Sequence, residues 1–313
     1  MLKHNAIVVF KGDTTNQGEW LKHRKIGASS IHNLVEADRY EKGLIEKPEY
    51  SSPWILYQEL KGYYKPVFSD FMQDKLDFGH FAENFIRGKF KEKAEQQGIN
   101  GVKEVTAGEE VLGSKEHEFM TCTPDGWVLM ETGEYIPMEC KTGDSFQWQE
   151  WSGDCVPDKY YSQCQWILEC TGKPYMFILG WINNRFTKVF TVKKDDNFIK
   201  IMLEIARNFW EMFNKNIEPS LIGNKIEAEA LGILYEIPKK EIEKIENTDL
   251  ENEAIEILKN ALDDFKANEK KNKNIIESTK IKIKKEMLEK GISTMNVGSL
   301  KAKLNARGAL SIA

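Results

Sequence analysis

Residues 124–141 run from Pro124-Asp125-Gly126 to Glu139-Cys140-Lys141, with thirteen residues between Asp125 and Glu139. Asp-Gly is a turn pair, and the apolar stretches on either side read as strands. Side chains alternate along a strand. Met138, Cys140 and Thr142 therefore face one side, and Glu139 and Lys141 the other. With Asp125 at the turn before them, two carboxylates and one ammonium converge within reach of a single phosphodiester. Carboxylate oxygens of this kind suit Mg²⁺ or Mn²⁺. A lysine beside them can orient a water or neutralise charge building on the phosphate. Glu-x-Lys alone is common in a lysine-rich chain, so the weight lies in its distance from Pro-Asp-Gly.

The surroundings supply a scaffold for such a point. Helices are expected over 29–37, 53–61 and 71–97, the last carrying Phe78, Phe81 and Phe85 on one face and ending at Gly98. Strands follow near 102–112, 117–123, 126–131 and 134–142. A loop over 143–156 carries Trp148 and Trp151. A helix over 157–171 starts at Pro157 and stops at Gly172. Strands at 175–182 and 187–193 and a helix at 196–215 complete the series. The order predicts an α/β (α+β) fold, a mixed sheet flanked by helices. The boundary is placed at residue 220, giving a core over 1–220 and an appendage over 221–313.

Charge sets the appendage apart. Residues 239–264 hold 4 lysines and 9 acids, and residues 265–290 hold 9 lysines and 4 acids, so the halves carry −5 and +5. Thr248-x-x-Glu251 can form a capping box. Ile255, Leu258, Leu262 and Phe265 keep helical spacing beyond it. A helical appendage is expected, with Leu258, Leu262 and Phe265 along a seam. Lys301, Lys303 and Arg307 follow without an acid between Val297 and Ala313.

The chain's 313 residues carry a formal charge of −5, which argues against a general DNA coater but not against a local phosphate site. No run of about 18 apolar residues occurs, so no membrane partner is expected. The N-terminal apolar run is too short for a secretory signal and reads as a strand. An odd set of five cysteines, with no Cys-x-x-Cys, fits a reducing, cytoplasmic setting and buried free thiols. No iron–sulfur cluster is expected.

The ordered set of motifs resembles the YqaJ-type viral recombinase family, which includes phage lambda exonuclease, within the PD-(D/E)xK nuclease superfamily. Besides the Asp125–Lys141 stretch, it comprises Trp20-x-x-x-Arg24 with Ser29-Ser30, then Ser52-Pro53 with Lys61-Gly62. Gly79-x-x-x-Glu83 and Pro157-x-x-Tyr160-x-x-Gln163-x-Gln165 complete it. The match spans about residues 18–219. The resemblance implies a restriction-endonuclease-like core acting on double-stranded DNA ends. It implies catalytic roles for Asp125, Glu139, Lys141, Glu83, Tyr160 and Gln163. Mg²⁺, or Mn²⁺, would be held by Asp125, Glu139, Glu83 and the Cys140 carbonyl. Arg24 with Ser29 or Ser30 would bind a terminal phosphate. The resemblance further implies a homotrimer and a single-strand annealing partner in a phage-type recombination system.

The simple local alternatives are also definite. Glu83 could pair with Arg87 one turn on, Gln165 faces away from Gln163, and His80 and His117 read as packing or surface residues. Gly79 is expected to allow close packing on the sheet. Broader RecB-like nucleases carry Gln-x-x-x-Tyr, whereas Ile167 stands at that spacing after Gln163. The activity expected is a metal-dependent DNA exonuclease. The alternatives are a structure-specific or nicking endonuclease of the same fold, or a non-catalytic DNA-binding scaffold.

Overall fold

A computed structural model describes residues 3–11, 25–144, 147–183, 186–234, 260–274, 280, 287, 293–297, 300–304 and 310–312. Two compact units are present, Met1–Ile237 and Pro238–Ala313.

The first unit is built on two sheets. A four-stranded sheet has the order β1 (Ile7–Lys11), β4 (Glu110–Gly113), β5 (Met120–Cys122), β2 (Ile26–Gly27). A five-stranded sheet has the order β3 (Val102–Ala107), β6 (Gly126–Met130), β7 (Tyr135–Gly143), β8 (Tyr175–Ile182), β9 (Phe186–Lys193). Only β7 and β8 run parallel in the larger sheet. A parallel pair needs a crossover, and the segment between them supplies it with α4 (Trp148–Trp151) and α5 (Asp158–Thr171). The stretch expected as one strand over 102–112 is two strands, because residues 108–109 carry the chain from one sheet to the other.

The remaining helices are α1 (His32–Glu41), α2 (Pro53–Leu60), α3 (Asp70–Gln96), α6 (Asp196–Asn214) and α7 (Lys225–Leu234). The starts of α2, α3 and α6 follow from capping chemistry. Ser52 caps α2 ahead of Pro53, its Oγ accepting from the Ile55 amide at 3.2 Å. Asp195 caps α6 by accepting from the amides of Asn197 and Phe198. Gly172 closes α5 at φ 66°, a left-handed conformation open to glycine.

Two cores result. One gathers Ile31, Leu34, Met120, Trp166, Ile167, Met202 and Phe209 from α1, β5, α5 and α6. The other packs Ala82, Ile86, Phe90 and Ala94 of α3 against Val128, Met138, Cys140 and Leu179 of the larger sheet. The buried stripe of α3 is thus not the one marked by Phe78, Phe81 and Phe85, which are all more than half exposed.

Helix α7 belongs to the first unit, with Ala230 packed against Trp54, Ile55 and Tyr64. Its buried Glu227 accepts from the Ser52 hydroxyl at 2.5 Å and the Gly223 amide at 2.7 Å. It also accepts from the amides of Ile222 and Asn224.

In the second unit, residues 260–274 are helical, with Leu262 and Phe265 exposed rather than buried along a seam. Leu258 lies outside the described residues. The unit ends in an antiparallel three-stranded sheet, β10 (Thr294–Val297), β11 (Leu300–Leu304) and β12 (Leu310–Ile312). The helical appendage expected from the sequence thus carries strands at its end as well. Leu300, Ala302 and Leu304 alternate with Lys301 and Lys303, the period-two pattern of a strand.

Candidate active site

The geometry begins where two strands part. The antiparallel ladder of β6 and β7 ends at Gly126 opposite Met138. The next outward amide of β7, that of Cys140, donates instead to Asp125 Oδ2 at 2.7 Å. The aspartate side chain takes the place a further strand residue would have filled. The amide and carbonyl of one strand residue face the same neighbour, so the Cys140 carbonyl shares that edge.

Asp125 is also held through its own carbonyl, which accepts from Arg87 Nη1 at 2.8 Å and from the Gly108 amide at 3.2 Å. Gly126 is required behind it. A Cβ there would lie 2.8 Å from the Thr106 carbonyl oxygen and 3.0 Å from Arg87 Cδ.

Alternation on β7 sends Met138 and Cys140 into the core under α3 and Glu139 and Lys141 to the other face. Glu139 is 1% exposed. Its Oε2 accepts from Lys141 Nζ at 2.7 Å and from Gln163 Nε2 of α5 at 2.7 Å. Its Oε1 is buried with no hydrogen-bond partner. Burial, with Asp125 adding to it, pushes the Glu139 carboxyl up to about 8. For Lys141, burial works against the charge, but Glu139 and Asp125 outweigh it and hold the ammonium above its ordinary value.

Asp125, Glu139, Lys141, Gln163 and Ser29 line one cavity of about 210 Å³, with Thr123 and Cys122 among its walls. Glu83 approaches the same groups from α3. Burial and then Asp125 raise its carboxyl above the usual range, and its partner is His80, with Nδ1 3.3 Å from Oε1. Arg87, the simple local partner for Glu83, is engaged by Asp125 and Asn84 instead. Tyr160 projects from α5 with its ring centroid 5.5 Å from Lys141 Nζ.

Several sequence expectations separate here. Ser29 is exposed at the cavity, whereas Ser30 is buried and its Oγ is spent on the Gly27 amide and carbonyl, each at 3.1 Å. Arg24 lies outside the described residues. Gln165 is fully buried and structural, donating to the Lys193 carbonyl and accepting from the Asp195 amide, both at 2.8 Å. Gly79 is not a close-packing requirement, since a Cβ there would make an ordinary 3.8 Å contact with Thr142. His117 lies beside Glu116 and Glu169, six residues past Gln163 on α5, and Lys194 already stands 2.9 Å from that glutamate. Cys122, Cys140, Cys164 and Cys170 are buried free thiols and Cys155 is exposed.

Two positioning residues escaped the sequence reading. Trp151 packs against Tyr160 in a tilted arrangement, 5.2 Å between centroids. Gly180 is the notch into which Trp151 fits, since a Cβ there would stand 2.7 and 2.9 Å from its ring atoms. The signal was the glycine inside the apolar strand Tyr175–Ile182, a mark of close approach.

A divalent cation fits this donor set. The unpartnered Glu139 Oε1 and the Asp125 carboxylate lie at the cavity, with Glu83 nearby on α3, and burial, with the Asp125 charge adding to it, lifts both glutamates.

Comparison with known proteins bears on the same region. The YqaJ protein of Bacillus subtilis (strain 168) is 24% identical over 216 residues, 67% of this chain and 60% of that protein. The chain therefore spans less than two thirds of that relative's length. Among solved structures, similarity is found to an alkaline exonuclease from Laribacter hongkongensis, with TM-score 0.47 and 17% identity. That match covers 64% of this chain and 94% of the other. A phage-related exonuclease from Haemophilus somnus 129PT gives TM-score 0.41 and 14% identity, over 61% of this chain and 94% of the other. The description of the YqaJ-like viral recombinase domain matches residues 19–174, which contain Asp125, Glu139, Lys141, Glu83, Tyr160 and Gln163. Through those residues, about half of its length, the chain belongs to the YqaJ-like viral recombinase domain family.

Proposed function

We propose that this chain is a divalent-metal-dependent deoxyribonuclease that degrades duplex DNA from its ends and exposes single strands for homologous recombination. The observation that carries the reading is Glu139, buried with one oxygen unpartnered, meeting Asp125 and Lys141 at one cavity. A buried carboxylate oxygen without a partner is costly. Here Asp125, Glu139, Glu83 and the Cys140 carbonyl could hold Mg²⁺ or Mn²⁺, which would supply charge neutralisation and an activated water.

The chain's own residues perform the rest. Lys141 offers a fixed positive charge to the phosphate, and its contact with Glu139 keeps it aimed. Gln163 fixes the Glu139 rotamer and lines the space a water would occupy. Tyr160, backed by Trp151, bounds the same face beside Lys141. Ser29 provides a hydroxyl donor at the cavity, and Arg24 the guanidinium for a terminal phosphate. A 5′-to-3′ direction, a homotrimer, an annealing partner and a cytoplasmic, phage-type setting complete the proposal.

The test offers purified protein with Mg²⁺ linear and closed circular duplex, with and without 5′ phosphates. Linear duplex with 5′ phosphates should be shortened fastest and closed circles left intact. Rapid cutting of closed circles would replace the exonuclease by an endonuclease. No cutting of either with Mg²⁺ or Mn²⁺ would refute the site.

A further inference from the structure

The N-terminal half of α3 exposes aromatic rings that the fold leaves largely in solvent, although Phe85 meets Trp181 edge-on at 5.1 Å and Lys75 lies over the Phe71 ring. Phe71, Phe78, Phe81 and Phe85 are 67, 58, 79 and 52% exposed. At roughly 200 Å² per aromatic side chain, that leaves roughly 500 Å² of ring surface in water, at the upper end for a monomer's largest patch. Val67 and Phe68, just before the helix, are exposed as well.

The spacing describes what would cover the rings. Phe71, Phe78 and Phe85 lie seven residues apart, and Asp74, Phe81 and Gly88 form the second row of the same stripe. Rows repeating every seven residues are the seam one helix offers another. Packing does not require glycine at position 88, since a Cβ there would meet nothing within 4 Å, and glycine weakens a helix interior. On a seam it admits a partner backbone. The charge beside the stripe narrows the partner further. Asp74 lies within it and Asp70 and Asp77 border it, and no ion pair to any of them is found among the described residues. Lys75 is already paired with Asp144 at 2.6 Å.

We infer that this face of α3 docks an amphipathic helix of a protein partner, apolar on one side and flanked by lysine or arginine. Phosphate would be repelled by the three aspartates. A second copy of α3 would set acids against acids. Glu83 is two residues from both Phe81 and Phe85, so it lies on the other side of the helix from the ring stripe. The inference does not depend on the reaction proposed above.

The test uses the full chain and a fluorescent peptide of about three heptads, leucine at the seam and lysine at the flanks. A second peptide carries glutamate in place of lysine. By fluorescence anisotropy, the lysine peptide should bind in about the micromolar range and the glutamate peptide about tenfold weaker or worse. Phe78→Ser with Phe81→Ser should weaken the lysine peptide about tenfold with unchanged melting, because both rings lie in solvent. Asp70→Asn, Asp74→Asn and Asp77→Asn together should weaken it and flatten its salt dependence. Equal binding of the two peptides, or unchanged affinity in the Phe variant, overturns the proposal. So does a lowered melting point in that variant, which would show the rings packed in the fold. Loss of single-stranded oligonucleotide binding in the Phe variant would assign the face to DNA. Conversion of an oligomer to a smaller species in sedimentation would assign it to a second copy.

Discussion

Substituting alanine at Gly180 tests whether Lys141, the lysine proposed to act on the phosphate, is positioned from behind. Gly180 is registered opposite Lys141 in the parallel pair β7–β8. Its missing Cβ leaves the space that Trp151 fills, and Trp151 supports Tyr160, which lies against Lys141. An alanine Cβ would stand 2.7 Å from Trp151 Cε3 and 2.9 Å from Cζ3. Normal carbon contacts are about 3.5–4.0 Å, so the indole must retreat by roughly 1 Å. It is 1% exposed and also meets Phe190 at 5.7 Å, which leaves little room to move. Overpacking of this kind costs about 1–3 kcal/mol. In a unit of this size that is a fall in Tm of about 2–4 °C per kcal/mol. A displacement of about 1 Å passed to Tyr160 and Lys141 can cost up to about 10²-fold in rate. Differential scanning fluorimetry and single-turnover cleavage of a 5′-phosphorylated duplex measure the two effects. Adding Trp151→Leu should restore part of the stability lost in Gly180→Ala, with a coupling of about 0.5–3 kcal/mol in the double-mutant cycle. Unchanged Tm and rate in Gly180→Ala, or strictly additive effects, would refute this support of Tyr160 by Trp151.

Alanine at Asp125 or Lys141 should lower cleavage by about 10²-fold or more while the purified variants still melt cooperatively. EDTA should abolish cleavage and Mg²⁺ restore it. Saturating metal, at about 100 times its Kd, should add about 2.7 kcal/mol of stability in urea titration, a gain that Asp125→Asn removes. Replacing Glu227 with alanine strands the Ser52 hydroxyl and the amides of residues 222–224. At about 1–3 kcal/mol per buried unsatisfied group, with relaxation of the loop, a loss of about 2–4 kcal/mol is expected. The kcat of the folded fraction should be unchanged. Deleting residues 239–313 should leave cleavage of short duplexes intact, since all described site residues lie in the first unit; loss of all cutting in a folded truncation would place part of the site in the appendage.

What the sequence made legible was periodicity tied to chemistry. Alternation along 135–143 placed Glu139 and Lys141 on one face and Cys140 on the other. The turn at Asp125 and the three-residue step from Tyr160 to Gln163 put their side chains where the structure has them. Contacts between distant elements were not legible. The face of α3 that packs is chosen by the sheet, which accepts the small Ala82 and Ala94 beside Ile86 and Phe90 and leaves the larger phenylalanines outside. The role of Gln165 depends on the β9–α6 junction, thirty residues later in the chain at Asp195. The terminal strands were masked by their lysines, which drew attention to charge rather than to alternation.

The Cys140 amide gives the molecule a reporter of its own. Its hydrogen bond ends on the Asp125 carboxylate rather than on another peptide group. The amide shift of residue 140 therefore follows the electron density on that carboxylate, which backbone pairing would have insulated it from. In a ¹⁵N-labelled sample, titration of a divalent ion should move this resonance early, while the amide of Val128, enclosed in the β6–β7 ladder, stays nearly fixed. Binding at the cavity can then be followed in an inert variant such as Lys141→Ala, without DNA, turnover or an added probe.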